Sequence, residues 1–278
     1  MELSHITNDG STRHHTEIPS FGLGVFLMSE PGECKAAVLA ALEAGYTHID
    51  TARAYENEAE VGAALKESGV KREDVFITTK LRQMHATGYS EVLDHCQKSL
   101  KLLDTPYIDL YLVHAPPKNR THRAAVWKGM EYCLTQGWVK AIGVSNYGVH
   151  HLESMRDYAT FLPSVNQIEY NPWLQRPALR AATEAVGAKV MAYSPLARGH
   201  KLDDAGLIKV AKKLGCTPAQ VAIKWCVDEG CITISKSSNP ERIAENLASL
   251  DVDLSAEMDT ISAMECGYIS GWDPTTEP

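Results

Sequence analysis

"IDLYLVHAPPKNRTHRAAVWKGMEYCLTQGWVKAIGVSN", residues 108–146, predicts a strand, a helix and a second strand in that order. Strand-like runs at its two ends enclose the segment 122–137, in which apolar residues recur at a spacing of three to four. Gly137 closes that segment and suits the left-handed position that follows a helix. Two strands joined by one helix favour a parallel pair with a helical crossover.

The same unit repeats along the chain. Further strand-like runs lie at 21–25, 47–50, 75–80, 165–170, 189–194 and 232–236, with amphipathic segments between them. Eight such runs in 278 residues predict an α/β fold, a closed (β/α)8 TIM barrel in one domain covering residues 1–278. Two helices are expected before the last strand. The letters "NDG" at 8–10 indicate the turn of an N-terminal β-hairpin that caps the bottom of the barrel.

Composition excludes several classes of function. The chain is 44% hydrophobic and 22% charged, as in globular proteins, and its net charge of −8 argues against a nucleic-acid partner. The most apolar stretch is interrupted by Glu43 and is too short for a membrane span, so no membrane partner is expected. Seven cysteines without a C-x-x-C pair predict reduced thiols and a cytoplasmic protein.

Polar side chains gather where the strands end, and in such a barrel those ends form the active face. Asp50, Lys80 and His114 each close a strand-like run, and Tyr55 follows Asp50 by five residues. Lowering the pKa of a tyrosine by about two units takes about 2.7 kcal/mol. One ammonium about 4 Å away supplies about 4 kcal/mol at an effective dielectric near 20. We therefore expect Lys80 to lower the pKa of Tyr55 and Asp50 to keep Lys80 charged.

This set predicts a proton donor for a carbonyl group, with His114 donating a hydrogen bond to the carbonyl oxygen. Carbonyl reduction also needs hydride from a cofactor, and the Rossmann fingerprint is missing. Lys236, Ser237 and Ser238 precede a helix start, and Arg242 lies in its first turn, which predicts a site for a 2′-phosphorylated nucleotide. For the nicotinamide and its carboxamide, the expected contacts are Tyr193, Ser145, Asn146 and Gln167.

Taken in order, several sequence blocks resemble the aldo-keto reductase superfamily over residues 6 to 266. The blocks are "GLGV", "DTARAYENE", "TTKL", "DLYLVHAP", "GVSNY", "NQIEYNP", "AYSPLARG" and "ISKSSNPERIAEN". The resemblance implies a monomeric barrel that uses NADPH to reduce aldehydes or ketones, with Tyr55 as general acid. It also implies pyrophosphate contacts from Ser194 and Leu196, and adenosine-side contacts from Glu245 and Asn246.

The substrate pocket departs from that family pattern. Phe26, Arg82 and Ala115 stand where family members often carry other, aromatic residues, which predicts a pocket that is wider beside His114. Trp173 and Trp272 are expected to supply the remaining apolar lining. Arg82 leads to the hypothesis of a carboxylate- or ester-bearing carbonyl substrate.

Two other functions stay open at this point. A metal-dependent TIM-barrel hydrolase would use His48, Asp50 and His114 as ligands, although Lys80 and Tyr55 would then intrude on the metal, and we expect no metal site. The same fold could also serve as a non-enzymatic NADP(H)-binding subunit. A protein that only binds NADP(H) would not need Tyr55 as a proton donor.

Overall fold

The computed structural model describes residues 2–8, 15–82 and 88–277. Its strands are β1 Leu3–Thr7, β2 His15–Pro19, β3 Phe21–Gly24, β4 His48–Asp50, β5 Phe76–Leu81, β6 Ile108–Val113, β7 Val139–Ser145, β8 Val165–Glu169, β9 Lys189–Tyr193 and β10 Ile232–Ser235. Its α-helices are α1 Glu33–Ala44, α2 Glu58–Ser68, α3 Tyr89–Leu103, α4 Arg120–Thr135, α5 Val149–Met155, α6 Pro177–Ala185, α7 Ala205–Leu214, α8 Pro218–Asp228, α9 Pro240–Leu247 and α10 Met258–Ser262.

Strands β3 to β10 close into a barrel in chain order, with β10 beside β3. Each neighbouring pair is parallel. Helices outside and side chains inside cover both faces of the strands, which explains why the strands appear in the sequence as nearly continuous apolar runs. The predicted (β/α)8 barrel is confirmed, and both α7 and α8 lie between β9 and β10 as expected.

The N-terminal hairpin closes one end of this barrel. β1 and β2 pair antiparallel, and Ile6 and Ile18 are buried in one cluster with Phe76 and Ile232, which begin β5 and β10. The hairpin therefore covers the end where the strands start, as predicted. Of the predicted turn at 8–10, residues 9 and 10 lie outside the described part of the chain.

The interior leaves little room around β4, and this fixes the layer below the strand ends. A Cβ atom placed on Gly22 would lie 2.8 Å from the ring of His48, so a residue without a side chain is needed there. His48 and Asp50 alternate with Ile49 and face the same way, which puts Asp50 at the open end above His48. No helix in the described ranges is long and apolar enough to cross a lipid bilayer.

Candidate active site

Lys80 forms the centre of the polar cluster at the open end of the barrel. Its side chain is completely buried, and its Nζ donates to Asp50 Oδ1 at 2.5 Å, to the Thr51 carbonyl at 3.0 Å and to the Tyr55 hydroxyl at 3.2 Å. These three acceptors match the three hydrogens of an ammonium group. The arrangement therefore holds a charged lysine against the Tyr55 oxygen.

A short 3-10 turn, Arg53–Tyr55, brings the phenol over the end of β4. Asn57 fixes this turn from below, because it accepts a bond from Thr51 Oγ1 at 2.8 Å and donates to the Val25 carbonyl at 2.9 Å. Both Thr51 and Asn57 are buried. Sequence reasoning missed these two positioning residues. Their signal was present: they are short polar residues on either side of Tyr55, in a segment that had to cross the barrel end.

Opposing effects set the charge of Lys80. Burial lowers the pKa of its ammonium, but the Asp50 carboxylate and the Tyr55 oxygen outweigh burial, so the pKa lies above its ordinary value. Gln167 supports this balance, since its Nε2 donates to Asp50 Oδ2 at 2.7 Å. Lys80 is therefore a stable cation, as the sequence predicted.

For Tyr55 the structure corrects the expected direction. Burial raises the pKa of the phenol, and although the Lys80 charge lowers it, the net pKa lies above the ordinary value. The expectation from sequence included the effect of the ammonium on the pKa of Tyr55 and omitted the effect of removing water from around the phenol. Tyr55 thus stays protonated at neutral pH, which is the state a proton donor needs.

His114 lies beside Tyr55, just after the end of β6. The two rings meet edge to face with their centroids 5.5 Å apart. Burial, followed by the charge of Lys80, lowers the pKa of His114 to about 3. The imidazole is therefore neutral and can donate a hydrogen bond without bringing a second positive charge to the site.

Asn146 connects the cluster to the next strand ends. Its side-chain oxygen accepts from the Tyr193 hydroxyl at 2.9 Å, and its amide donates to the His114 carbonyl at 3.0 Å and to Ser145 Oγ at 3.1 Å. Asn146 adopts a left-handed backbone, with φ of 61°, which asparagine tolerates well. The structure thus brings together all four residues expected around the nicotinamide, because the Gln167 carbonyl accepts from Ser145 Oγ at 2.9 Å. The side-chain amide of Gln167 donates to Asp50 instead.

The expected phosphate residues lie where β10 leads into α9. Ser237 is buried, and Lys236, Ser238 and Arg242 are exposed. Asn239 caps the helix by accepting from the Arg242 backbone N–H at 2.9 Å. Among the described residues, no carboxylate forms an ion pair with Lys236 or Arg242. Two free cations beside a helix N-terminus are a donor set that fits a phosphate.

The residues assigned by resemblance occupy two neighbouring elements. Ser194 and Leu196 lie directly after β9, and Ser194 has a left-handed backbone with φ of 50°. Glu245 and Asn246 are on α9. Glu245 Oε1 already accepts from Thr217 Oγ1 at 2.7 Å, which ties α9 to the start of α8.

The apolar residues expected around the substrate divide into two groups. Phe26 is 43% exposed and its ring centroid is 5.0 Å from that of Tyr55, and Trp272 is 58% exposed. Trp173 and Ala115, in contrast, are buried, and the Trp173 indole N–H donates to Asp204. Burial alone does not decide whether these two residues line the pocket, because Lys80 is also completely buried, so their place in the pocket stays a prediction.

The metal-site alternative receives no support from the geometry. In the parts of the chain that the structure describes, no group of three or more His, Cys, Asp or Glu side chains could hold a metal ion. His48 Nε2 hydrogen-bonds Thr78 Oγ1 at 2.9 Å, and Asp50 is engaged by Lys80 and Gln167.

Comparisons with known proteins show the family to which this chain belongs. The model of the aldo/keto reductase family matches residues 22–264. Glyoxal reductase of Bacillus subtilis is 42% identical over 249 residues, covering 89% of each chain. Methylglyoxal reductase DkgA of Salmonella typhimurium is 42% identical over 260 residues, covering 92% of this chain and 93% of its own. A Bombyx mori aldo-keto reductase solved in complex with NADP superposes with a TM-score of 0.86 at 32% identity, covering 97% of this chain and 95% of that one.

Proposed function

The chain belongs to the aldo/keto reductase family and is a carbonyl reductase that uses NADP(H), and on that premise we propose that Tyr55 is its general acid. The observation that carries the proposal is the position of Lys80 Nζ, which hydrogen-bonds both Asp50 and Tyr55. A buried cation at that position stabilises the phenolate that remains once Tyr55 has given up its proton.

Each member of the cluster has a role that follows from its surroundings. Neutral His114 donates a hydrogen bond to the carbonyl oxygen and orients it towards the Tyr55 hydroxyl. Tyr55 delivers its proton to that oxygen as negative charge develops there. Lys80 stays charged throughout because Asp50 balances it, so the proton comes from the phenol and not from the ammonium.

The cofactor fits the donor groups of the chain. NADPH supplies, when bound, the hydride that adds to the carbonyl carbon. We assign its 2′-phosphate to Lys236 and Arg242, whose charges are exposed at the start of α9. Asn146 and Tyr193 form a hydrogen-bonded pair beside His114 that suits the amide and ring of a nicotinamide.

As substrates we propose small α-dicarbonyl compounds. Two relatives that are 42% identical to this chain are named glyoxal reductase and methylglyoxal reductase. In such compounds one carbonyl withdraws electrons from the other, which makes the attacked carbon a better hydride acceptor. The exposed ring of Phe26 lies beside Tyr55 and would form part of the wall that such a substrate meets.

Turnover of NADPH with a carbonyl panel tests the assignment. We expect methylglyoxal and glyoxal to be reduced with higher kcat/KM than simple aliphatic ketones. Tyr55→Phe should lose at least about a hundredfold in kcat, because general acid catalysis contributes about 10²–10⁴. Its affinity for NADPH, measured by quenching of protein fluorescence, should stay close to wild type. Full activity in Tyr55→Phe would remove Tyr55 from the mechanism.

We also propose that the protein acts as a monomer in the cytoplasm. The seven cysteines are free thiols and six of them are buried or half-buried, which fits a reducing compartment. Light scattering of the purified protein tests the monomer, since a dimer would double the mass of 30.5 kDa.

A further inference from the structure

We infer that Glu56 sets the substrate charge preference of this enzyme by neutralising Arg82 at the mouth of the active site. The two side chains form an ion pair, with Arg82 Nη1 3.2 Å from Glu56 Oε1. The inference rests on the proposed role of Tyr55 as proton donor. Glu56 directly follows Tyr55, and Arg82 lies two residues after Lys80.

Arg82 follows Lys80 by two residues, directly after the end of β5. Side chains alternate between the two faces of a strand, so Arg82 lies on the same face as Lys80 and one step nearer the open end. Lys80 points into the barrel to reach Asp50. The guanidinium of Arg82 is consequently carried at the rim above the catalytic lysine, and 34% of its side chain is exposed.

Glu56 follows Tyr55 directly and ends the short turn that holds the phenol. Its backbone is left-handed, with φ of 60°, and 67% of its side chain is exposed. The ion pair therefore joins the Tyr55 turn, which follows β4, to the end of the neighbouring strand β5. Because the pair is exposed to water, it adds little to the free energy of unfolding. Its main consequence is that the carboxylate of Glu56 neutralises the positive charge of Arg82.

The catalytic groups below the pair add little net charge. Lys80 is balanced by Asp50, and His114 is neutral because burial lowers its pKa to about 3. A substrate carboxylate that approaches Tyr55 thus meets Arg82 with its charge already cancelled by Glu56. This changes the expectation from sequence, in which Arg82 by itself attracted anionic carbonyl compounds.

A double-mutant cycle on matched substrates tests the inference. The substrates are 4-carboxybenzaldehyde and its uncharged methyl ester, and the quantity measured is the ratio of their kcat/KM values at low salt. One uncompensated charge near the mouth changes this ratio by about three- to tenfold. Glu56→Gln should raise the ratio by that factor, Arg82→Gln should lower it, and the double variant should return close to wild type. Added salt should shrink both single-variant effects.

Two controls separate charge from structure. Glu56→Asp keeps the carboxylate and should leave the ratio within about twofold of wild type, well inside the three- to tenfold effect of one charge. Asp104→Asn removes the acid of another exposed ion pair, Lys66–Asp104, at a residue that is also left-handed, with φ of 50°, and it should leave the ratio unchanged.

The outcomes distinguish a failure of this inference from a failure of the proposed function. If wild type reduces both aldehydes and Glu56→Gln leaves the ratio unchanged, only the inference is overturned. An equal shift in Asp104→Asn would overturn it as well. If wild type reduces methylglyoxal but neither benzaldehyde, the inference alone is overturned. If wild type reduces no carbonyl compound with NADPH, or Tyr55→Phe reduces methylglyoxal at the full rate, the proposed function is overturned and the inference with it.

Discussion

Replacing Lys80 by methionine removes the buried cation and keeps most of the side-chain volume. In the folded protein this cation donates to Asp50, to the Thr51 carbonyl and to Tyr55. The Lys80→Met variant therefore leaves a phenol that must ionise without a positive charge beside it. It also leaves the Asp50 carboxylate buried next to that phenol, where it opposes ionisation.

The expected size of the loss follows from the distance. A unit charge 3.2 Å from the phenol oxygen contributes about 5 kcal/mol at an effective dielectric of about 20. If between half and all of the phenolate charge has developed in the transition state, about 2.5 to 5 kcal/mol is lost, and kcat falls by about 10²- to 10⁴-fold. Leaving Asp50 unpaired should cost a further 3 to 5 kcal/mol or so of folding stability.

A second variant separates the two effects. In Lys80→Met combined with Asp50→Asn, the new amide oxygen can still accept from Gln167, so most of the stability should return. Activity should not return, because the phenolate still lacks its cation. Urea unfolding measures the stability of both variants, and single-turnover oxidation of NADPH measures the chemical step. A folded Lys80→Met protein with kcat within tenfold of wild type would refute the electrostatic role given to Lys80.

Measurable predictions also follow for a buried histidine, for the arginine assigned to the 2′-phosphate and for a contact made by the C-terminal segment. Burial, and then Lys80, lowers the pKa of His48 from 6.5 to about 3. The unfolded chain then binds more protons than the folded chain below pH 6.5, so stability should fall by about 1 kcal/mol between pH 6.5 and 5.5 from this residue. Urea unfolding of His48→Gln at the two pH values should lack that part of the fall. Arg242→Ala should raise KM for NADPH by about tenfold and leave KM for NADH nearly unchanged, because the guanidinium recognises phosphate; equal changes would reject the assignment. A Cβ on Gly148 would lie 1.9 Å from the Thr275 carbonyl oxygen, so Gly148→Ala should displace the segment 270–277 and speed its proteolysis. Gly88→Ala, which meets nothing within 4 Å, should not.

The fold could be predicted from the sequence because the patterns that determine it are local. Each barrel strand needs an apolar run, each crossover needs an amphipathic helix, and a strict alternation of the two leaves few topologies. The hairpin cap was also predictable, since Ile6 and Ile18 supply an apolar face to a barrel end that would otherwise be open. Strand ends then place Asp50, Lys80 and His114 on one rim without any knowledge of their contacts.

Contacts across the rim were not accessible in the same way. The backbone N–H groups of residues 266 and 268 donate to the carbonyl of Trp173. No periodic pattern in the sequence predicts this contact or the packing that surrounds Trp173. The pairing of Arg82 with Glu56 joins two loops that are 26 residues apart, and the sequence gives no signal for the rotamers involved. The half-buried position of Tyr55 against Lys80 is likewise a property of the assembled barrel end.

The raised pKa of Tyr55 makes the charge of Lys80 essential to the proposed role of Tyr55 as a proton donor. Burial favours the neutral phenol before reaction, so the donor is fully protonated at neutral pH. Once the proton has moved to the substrate oxygen, the phenolate lies beside the ammonium of Lys80, whose Nζ already donates to the hydroxyl at 3.2 Å, so the two charges attract each other strongly. A surface tyrosine beside an exposed lysine would have a more ordinary pKa and a weaker interaction after transfer. As the proton leaves, burial and the ammonium therefore act on the phenolate in opposite directions: burial destabilises it, and Lys80 stabilises it.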